Sequence, residues 1–314
     1  MPNKTHVIFG TGPVGCWIAR SLREKEIPVR AVNRSGRRPA LLPNDVEIVG
    51  IDATDTEEAI AAAKDAETIY QALSPPYHLW EKYFPALQES VMAAAKKVEA
   101  RYISIENLYL YDPIEVISED SPVRPRARKG ILRAKMAEEV ISAHQRGDLQ
   151  TAALRSSDYY GPGVTHSVMG ERVFGRLVAN KAAQLIGAAD IPHSWAYIED
   201  VGKAAATLGS RKDACGKVWI APHAPPCTQQ EMVETVCRIL GKHAKMTTIS
   251  PLMMKTVGLF SALARASAEM TYQFTEPFIV DSTRFQEEFS ITATPLEEGI
   301  AKTIAWYEKF KGTF

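Results

Sequence analysis

Along the first half of the chain, short apolar runs alternate with longer segments in which apolar residues recur every three or four positions. The runs His6–Phe9, Val29–Val32, Val46–Ile51, Glu67–Leu73, Ala100–Ile105 and Thr151–Ser157 read as strands. The segments Val14–Lys25, Thr56–Lys64, Leu79–Lys97 and Lys129–Gln145 read as the helices between them. Parallel strands need crossover connections, so this order predicts an α/β fold, a doubly wound parallel sheet with helices on both faces. In Lys129–Gln145 the residues Ile131, Met136, Val140 and Ile141 give an apolar side, and Lys135 follows Ile131 by one turn on its edge. An isolated lysine there ordinarily packs its stem and keeps its ammonium in water.

Beyond about Tyr160 the rhythm loosens at "YYGPGV", and helical segments return at Gln229–Leu240, Leu252–Glu269 and Pro295–Phe310. The pattern predicts a dinucleotide-binding domain over residues 1–225 with a substrate-side excursion near 161–184. A small, mainly helical C-terminal substrate domain would follow over residues 226–314, with the proline-rich Ala221–Pro226 as hinge.

At 314 residues, 46% hydrophobic and 24% charged, the chain has the size and composition of one large globular domain with a smaller appendage. Lys plus Arg equals Asp plus Glu at 37 each, which removes the general electrostatic case for nucleic acid or a membrane surface as partner. Cys16, Cys215, Cys227 and Cys237 lack the spacing of a zinc site or redox pair, so no metal is expected. No apolar stretch approaches a membrane span, and a cytoplasmic location is the simplest expectation.

Candidate chemistry begins at "VIFGTGPVGCWIARSL". Gly10, Gly12 and Gly15 lie between the first strand and the first helix in G-x-G-x-x-G spacing. That context permits a tight turn, close approach of backbone amides to a pyrophosphate, and close packing of helix on sheet, so a Rossmann-type dinucleotide site is expected. At the end of the second strand an acid would suit the ribose of NAD. Here Asn33 is followed by Arg34, Arg37 and Arg38, and guanidinium groups suit a 2′-phosphate, so NADP is favoured over NAD.

These residues resemble the extended short-chain dehydrogenase/reductase superfamily, particularly its atypical members similar to NAD(P)-dependent epimerases and dehydratases. "GTGPVG" resembles the cofactor loop, and "GIDATD" the turn whose Asp, here Asp52, contacts adenine. "SDYYGPG" resembles the loop after the sixth strand, "WAYIEDVGKA" a late segment before a helix, and "TPLEEGIAKTIAWY" the C-terminal helix. The resemblance implies a small-molecule substrate and, commonly, a homodimer. It also implies Ser or Thr after the fifth strand and a Tyr-x-x-x-Lys pair on the next helix, the Tyr moving a proton and the Lys lowering its pKa and holding the nicotinamide ribose. "MAEEV" resembles the sequence after that lysine, which identifies Lys135, facing cofactor, and leaves Ile131 at the tyrosine position and Asn107 at the serine position. Isoleucine cannot transfer a proton.

Tyr109, two residues after Asn107, is the expected substitute acid, projecting to the same side of an extended strand and standing beside Lys135. Tyr111, Tyr159 and Tyr160 lie in loops expected near the cleft, and "SPPYHLW" supplies a stiff aromatic loop with Ser74, Tyr77 and Trp80. His166 and His193 show no catalytic or metal spacing and read as structural or surface residues. Three functions follow in order: an NADP-dependent oxidoreductase acting on a small carbonyl or alcohol with an atypical site, a non-catalytic NADP-binding sensor or interaction protein, and a sugar-nucleotide-type epimerase or dehydratase.

Overall fold

The computed structural model describes residues 5–113, 116–250 and 261–310, together with Met253 and Thr256. The six expected strands form, as β1 (Thr5–Phe9), β2 (Val29–Asn33), β3 (Glu47–Gly50), β4 (Ala66–Gln71), β5 (Arg101–Asn107) and β6 (Thr151–Ser156). A seventh, Val218–Ile220, joins them; three residues are too few for an alternation to register in the sequence. The spatial order is seventh strand, β6, β5, β4, β1, β2, β3, and every pair in this sheet is parallel. The α/β expectation therefore holds.

The chain leaves β1 toward β2 and β3, then returns to place β4 on the other side of β1. Ligands in open α/β sheets bind at such a reversal, outside the carboxyl ends of the strands. Helices α1 (Pro13–Arg23) and Ile198–Ser210 cover one face of the sheet. The other is covered by α2 (Thr56–Ala62), α3 (Trp80–Lys97) and α4 (Arg128–Gln145). Val7, Ile8, Phe9, Ala31, Ile69, Tyr70, Ile103 and Leu154 are fully buried between these layers. Each large apolar side chain so buried contributes about 1.5–3 kcal/mol relative to exposure.

A second apolar cluster gathers Tyr160, Met169, Phe174 and Leu185 with Met232, Val236, Ile300, Ile304 and Tyr307. It joins the stretch after β6 to helices Gln229–Ile239 and Leu296–Lys309. The expected helix Leu252–Glu269 falls partly outside the described residues, within which a helix runs over Ala262–Ala268. Among the described residues no helix is long and apolar enough to cross a membrane.

Two histidines tie stability to pH. Burial lowers His6, whose Nδ1 lies 2.8 Å from the Tyr70 hydroxyl, and His223 to pKa values of about 4. The unfolded chain protonates both near pH 6.5 while the folded chain does not, so their contribution is complete above pH 6.5 and is lost as pH falls toward 4. The melting temperature is expected to drop across that window, each histidine contributing a slope of at most about 1.4 kcal/mol per pH unit. His6→Asn should make that slope shallower; an unchanged slope would show that His6 is protonated in the fold.

Candidate active site at the carboxyl edge of the sheet

The glycine loop lies at the reversal between β1 and β4. A Cβ on Gly15 would stand 1.9 Å from the Gly10 carbonyl oxygen, so only glycine lets α1 start this close to the strand end. A Cβ on Gly12 would meet nothing within 4 Å. Open space therefore sits at the N-terminus of α1, where unpaired amides and the helix dipole favour an anion. Gln71, paired with Phe9 at the end of β4, is buried and its Nε2 has no partner in the protein. A buried donor without an acceptor is costly and calls for a ligand or water. Cys16, immediately after Gly15, is buried and its thiol is pushed up to about 12, which makes it a packing residue.

At the end of β2, Asn33 shapes the loop from within. Its Oδ1 accepts from the Ser35 and Gly36 amides, and its Nδ2 donates to Thr11 Oγ1 at 2.8 Å and the Arg37 carbonyl at 2.9 Å. Arg38 is anchored on the Pro43 and Val46 carbonyls. Arg34 and Arg37 are exposed, Arg34 lying 3.4 Å from Asp52. Asp52 accepts two hydrogen bonds from Thr54, which hold its carboxyl below the usual range.

Helix α4 departs from its expected orientation. Its buried face is Lys129, Gly130, Arg133, Met136, Ala137, Val140 and Ala143. Ile131 is 48% exposed, and the exposed Lys135 lines a groove with Pro85, Glu89 and Glu139 between α3 and α4. Lys135 therefore does not stand among the cleft residues, nor is Ile131 a cleft wall. Gly130 decides the rotation, because its missing Cβ, which would lie 2.2 Å from the Tyr109 carbonyl oxygen, lets this face press on the end of β5. Extending the stripe Met136, Val140, Ala143 backward by three and four residues reaches Arg133 and Lys129, the signal that an apolar-only periodicity overlooked.

The buried i, i+4 pair is thus Lys129 and Arg133. Lys129 Nζ pairs with Glu269 at 2.5 Å and lies 5.4 Å from the Tyr77 ring centre. Arg133 stacks over Phe84, its Nε has no partner, and burial lowers its pKa. Its Nη1 reaches only the Met136 thioether, so the buried Nε is a donor left without an acceptor, which again calls for a ligand or water.

After β5 the backbone turns instead of continuing extended. Asn107 Oδ1 accepts the Tyr109 amide at 3.2 Å, a side-chain turn that separates the two side chains. Tyr109 packs against Trp80, and its hydroxyl lies 2.5 Å from that of Tyr77. Burial raises both phenols well above the ordinary tyrosine value, with the Asp158 charge adding to the effect. Among the described residues no lysine depresses Tyr109; the Lys129 ammonium lies over Tyr77 and is neutralised by Glu269. Tyr159 receives the Ser156 hydroxyl at the end of β6, and Tyr111 binds Arg155 inside the sheet. His193 is buried, with Nε2 near Ser157 and Asp158, a placement that its sequence spacing did not signal.

Residues 7–220 match the NAD dependent epimerase/dehydratase family over more than half of the chain. The protein belongs to this family. No curated protein matches it. Among solved structures, this family member is similar to dTDP-glucose 4,6-dehydratase from Bacillus anthracis str. Ames in complex with NAD, at 14% identity and a TM-score of 0.81 over 98% of this chain and 97% of that one. It is also similar to UDP-glucuronic acid 4-epimerase from Bacillus cereus in complex with UDP-glucuronic acid and NAD, at 16% identity and a TM-score of 0.78 over 98% and 99%. UDP-glucose 4-epimerase from Thermus thermophilus, complexed with NAD, gives 15%, 0.78, 96% and 98%. At these identities the likeness establishes the fold, consistent with the expected resemblance to extended short-chain dehydrogenases/reductases.

Proposed function

We propose that the protein binds a nicotinamide dinucleotide, NADP(H) in preference to NAD(H), and reduces a small carbonyl compound, with Tyr109 delivering the proton. The carrying observation is the juxtaposition at neighbouring strand ends of an open glycine loop and a buried phenol pair, Tyr77 and Tyr109. When bound, the nicotinamide would supply a hydride to the substrate carbon. Gly10, Gly12 and Gly15 would admit the pyrophosphate, Gln71 Nε2 and the Arg133 guanidinium would find acceptors on the ligand, and Asn107 would hold the Tyr109 turn. Phenols held protonated suit donation to a developing alkoxide and are poor bases, so reduction is the favoured direction.

The preference for NADP(H) rests on Arg34 and Arg37, exposed beside a strand end that carries Asn33 and no acid. Arg34→Ala and Arg37→Ala are each expected to weaken NADPH binding about tenfold or more, the scale of one charged hydrogen bond, and to leave NADH unchanged. Fluorescence titration of both cofactors checks this, and equal affinities in the unmodified protein would refute it.

A second reading is favoured by the extent of the structural likeness, which runs through the C-terminal third as well as the sheet. It is a sugar-nucleotide epimerase or dehydratase using a retained NAD. Incubation with UDP-glucose, UDP-glucuronic acid and dTDP-glucose separates the two: conversion without net consumption of added cofactor supports the second. Tight NADPH binding with no turnover of carbonyls or sugar nucleotides supports a cofactor sensor.

A further inference from the structure

Among the described residues, one buried cation has no counter-charge within reach. Strands β5 and β6, on which α4 packs, carry Glu106 and Arg155, and α4 adds Arg133; all three are buried. Glu106 gives Oε2 to Arg155 Nε at 2.9 Å and Oε1 to the Ser104 hydroxyl, so the carboxylate is committed to the first guanidinium. Arg133 makes no ion pair and no hydrogen bond to oxygen among the described residues. It touches the Met136 sulfur through Nη1 at 3.7 Å and lies over Phe84, 4.7 Å from the ring centre, while Nε has no partner.

Water can supply the missing acceptor, but it brings no charge, and a buried guanidinium is costly unless it is paired. An anion answers both needs. With Nη1 turned to Met136, Nε and Nη2 form the side-on edge of the guanidinium, whose two parallel donors fit both oxygens of a carboxylate.

Location assigns that anion to the second ligand rather than the dinucleotide. The anionic groups of a nicotinamide dinucleotide are its phosphates, which the glycine loop, Arg34 and Arg37 would meet at the ends of β1 and β2. Arg133 lies across the reversal, on the helix that packs on β5 and β6. Contacts join it to the phenol pair: Phe84, under the guanidinium, meets Trp80 at 5.1 Å between ring centres, and Trp80 stacks on Tyr109. One turn earlier Lys129 lies over Tyr77, but Glu269 already pairs with it. Of the two cations on this face of α4, Arg133 is therefore the one left to meet a ligand.

We infer that Arg133 is the subsite for an anionic group of the substrate, so that the carbonyl compound reduced is an oxo acid whose carboxylate is held by Nε and Nη2. Burial of Arg133 without a partner costs the ligand-free protein stability, and the bound carboxylate restores it.

The subsite rests on the proposed reduction for its substrate, and the test separates the two. Across 2-oxo and 4-oxo acids and their methyl esters, kcat/KM of the best acid is expected to exceed that of its own ester by about 10-fold to 100-fold, the scale of a charged hydrogen bond. In Arg133→Met the ratio should fall to about one, and in Arg133→Lys, which keeps the charge and loses the fork, it should lie between. Oxamate, succinate and benzoate accept no hydride and report binding without turnover. At least one should raise the melting temperature of the NADPH-loaded protein, and Arg133→Met should abolish that rise. Arg133→Met should also leave the urea midpoint of the ligand-free protein unchanged or higher, whereas loss of a residue kept for structure would lower it. An acid-to-ester ratio near one in the unmodified protein overturns the subsite and leaves the reduction standing. Carboxylate binding that survives Arg133→Met also overturns it, and so does a loss of NADPH affinity alone, which would make Arg133 a cofactor residue. Sodium chloride that stabilises through Arg133 as much as the carboxylates do would assign the site to a free ion and overturn it. Reduction absent from the whole panel, while a carboxylate still binds through Arg133, supports the subsite and overturns the reduction.

Discussion

Tyr109→Phe is expected to slow carbonyl reduction by about 100-fold to 10,000-fold while NADPH affinity stays the same. The exchange removes one hydroxyl and almost no volume, so the ring keeps its packing on Trp80 and its place beside Tyr77. What disappears is the proton and the 2.5 Å contact with the Tyr77 hydroxyl. Tyr77 is then left with a phenol facing an apolar edge, a stability cost of about 1–3 kcal/mol that a urea titration reads separately from turnover. A rate within twofold of the unmodified protein would assign the proton to another group. A fall in rate accompanied by an equal fall in NADPH affinity would make Tyr109 a binding residue.

The largest effect on stability is expected at Glu106. Its Oε2 lies 2.9 Å from Arg155 Nε on the adjacent strand, with side-chain exposures of 1% and 5%, and its Oε1 accepts the Ser104 hydroxyl. Arg155 also binds the Tyr111 hydroxyl. Glu106→Gln leaves the guanidinium buried without a counter-charge, and breaking such a pair costs about 3–5 kcal/mol. Urea unfolding should show the midpoint shifting with the slope unchanged. A loss below about 1 kcal/mol would mean that water reaches Arg155. Replacing both partners by apolar residues of similar volume should cost far less than Glu106→Gln alone, because no charge then remains to be buried.

Much of the architecture was legible in the order of residues. Strand, glycine loop and helix at the N-terminus are local features, and repeated crossovers leave few ways to arrange parallel strands. The six long strands and the four helices among them accordingly appear within a few residues of their expected bounds. The stretch of chemistry that runs through α4 was not legible. Periodicity placed Ile131 on the apolar side with Lys135 at its edge, the family resemblance pointed Lys135 at a cofactor, and neither singled out Lys129 or Arg133. The fold buries Lys129 and Arg133 instead because the first turns of α4 pack on an aromatic cluster where Glu269, Tyr77 and Phe84, from distant parts of the chain, supply partners for the cations. Nor could spacing bring His193 to Asp158, since 35 residues separate them and only the pairing of the C-terminal segment around Gln273 and Phe278 holds the ring there. By itself the sequence determined the sheet, the glycine loop between β1 and α1 and the absence of an acid after β2, because each depends on neighbours along the chain. Tertiary structure decided which side chains face the cleft and what charge they carry there, because burial and ion pairing depend on neighbours in space.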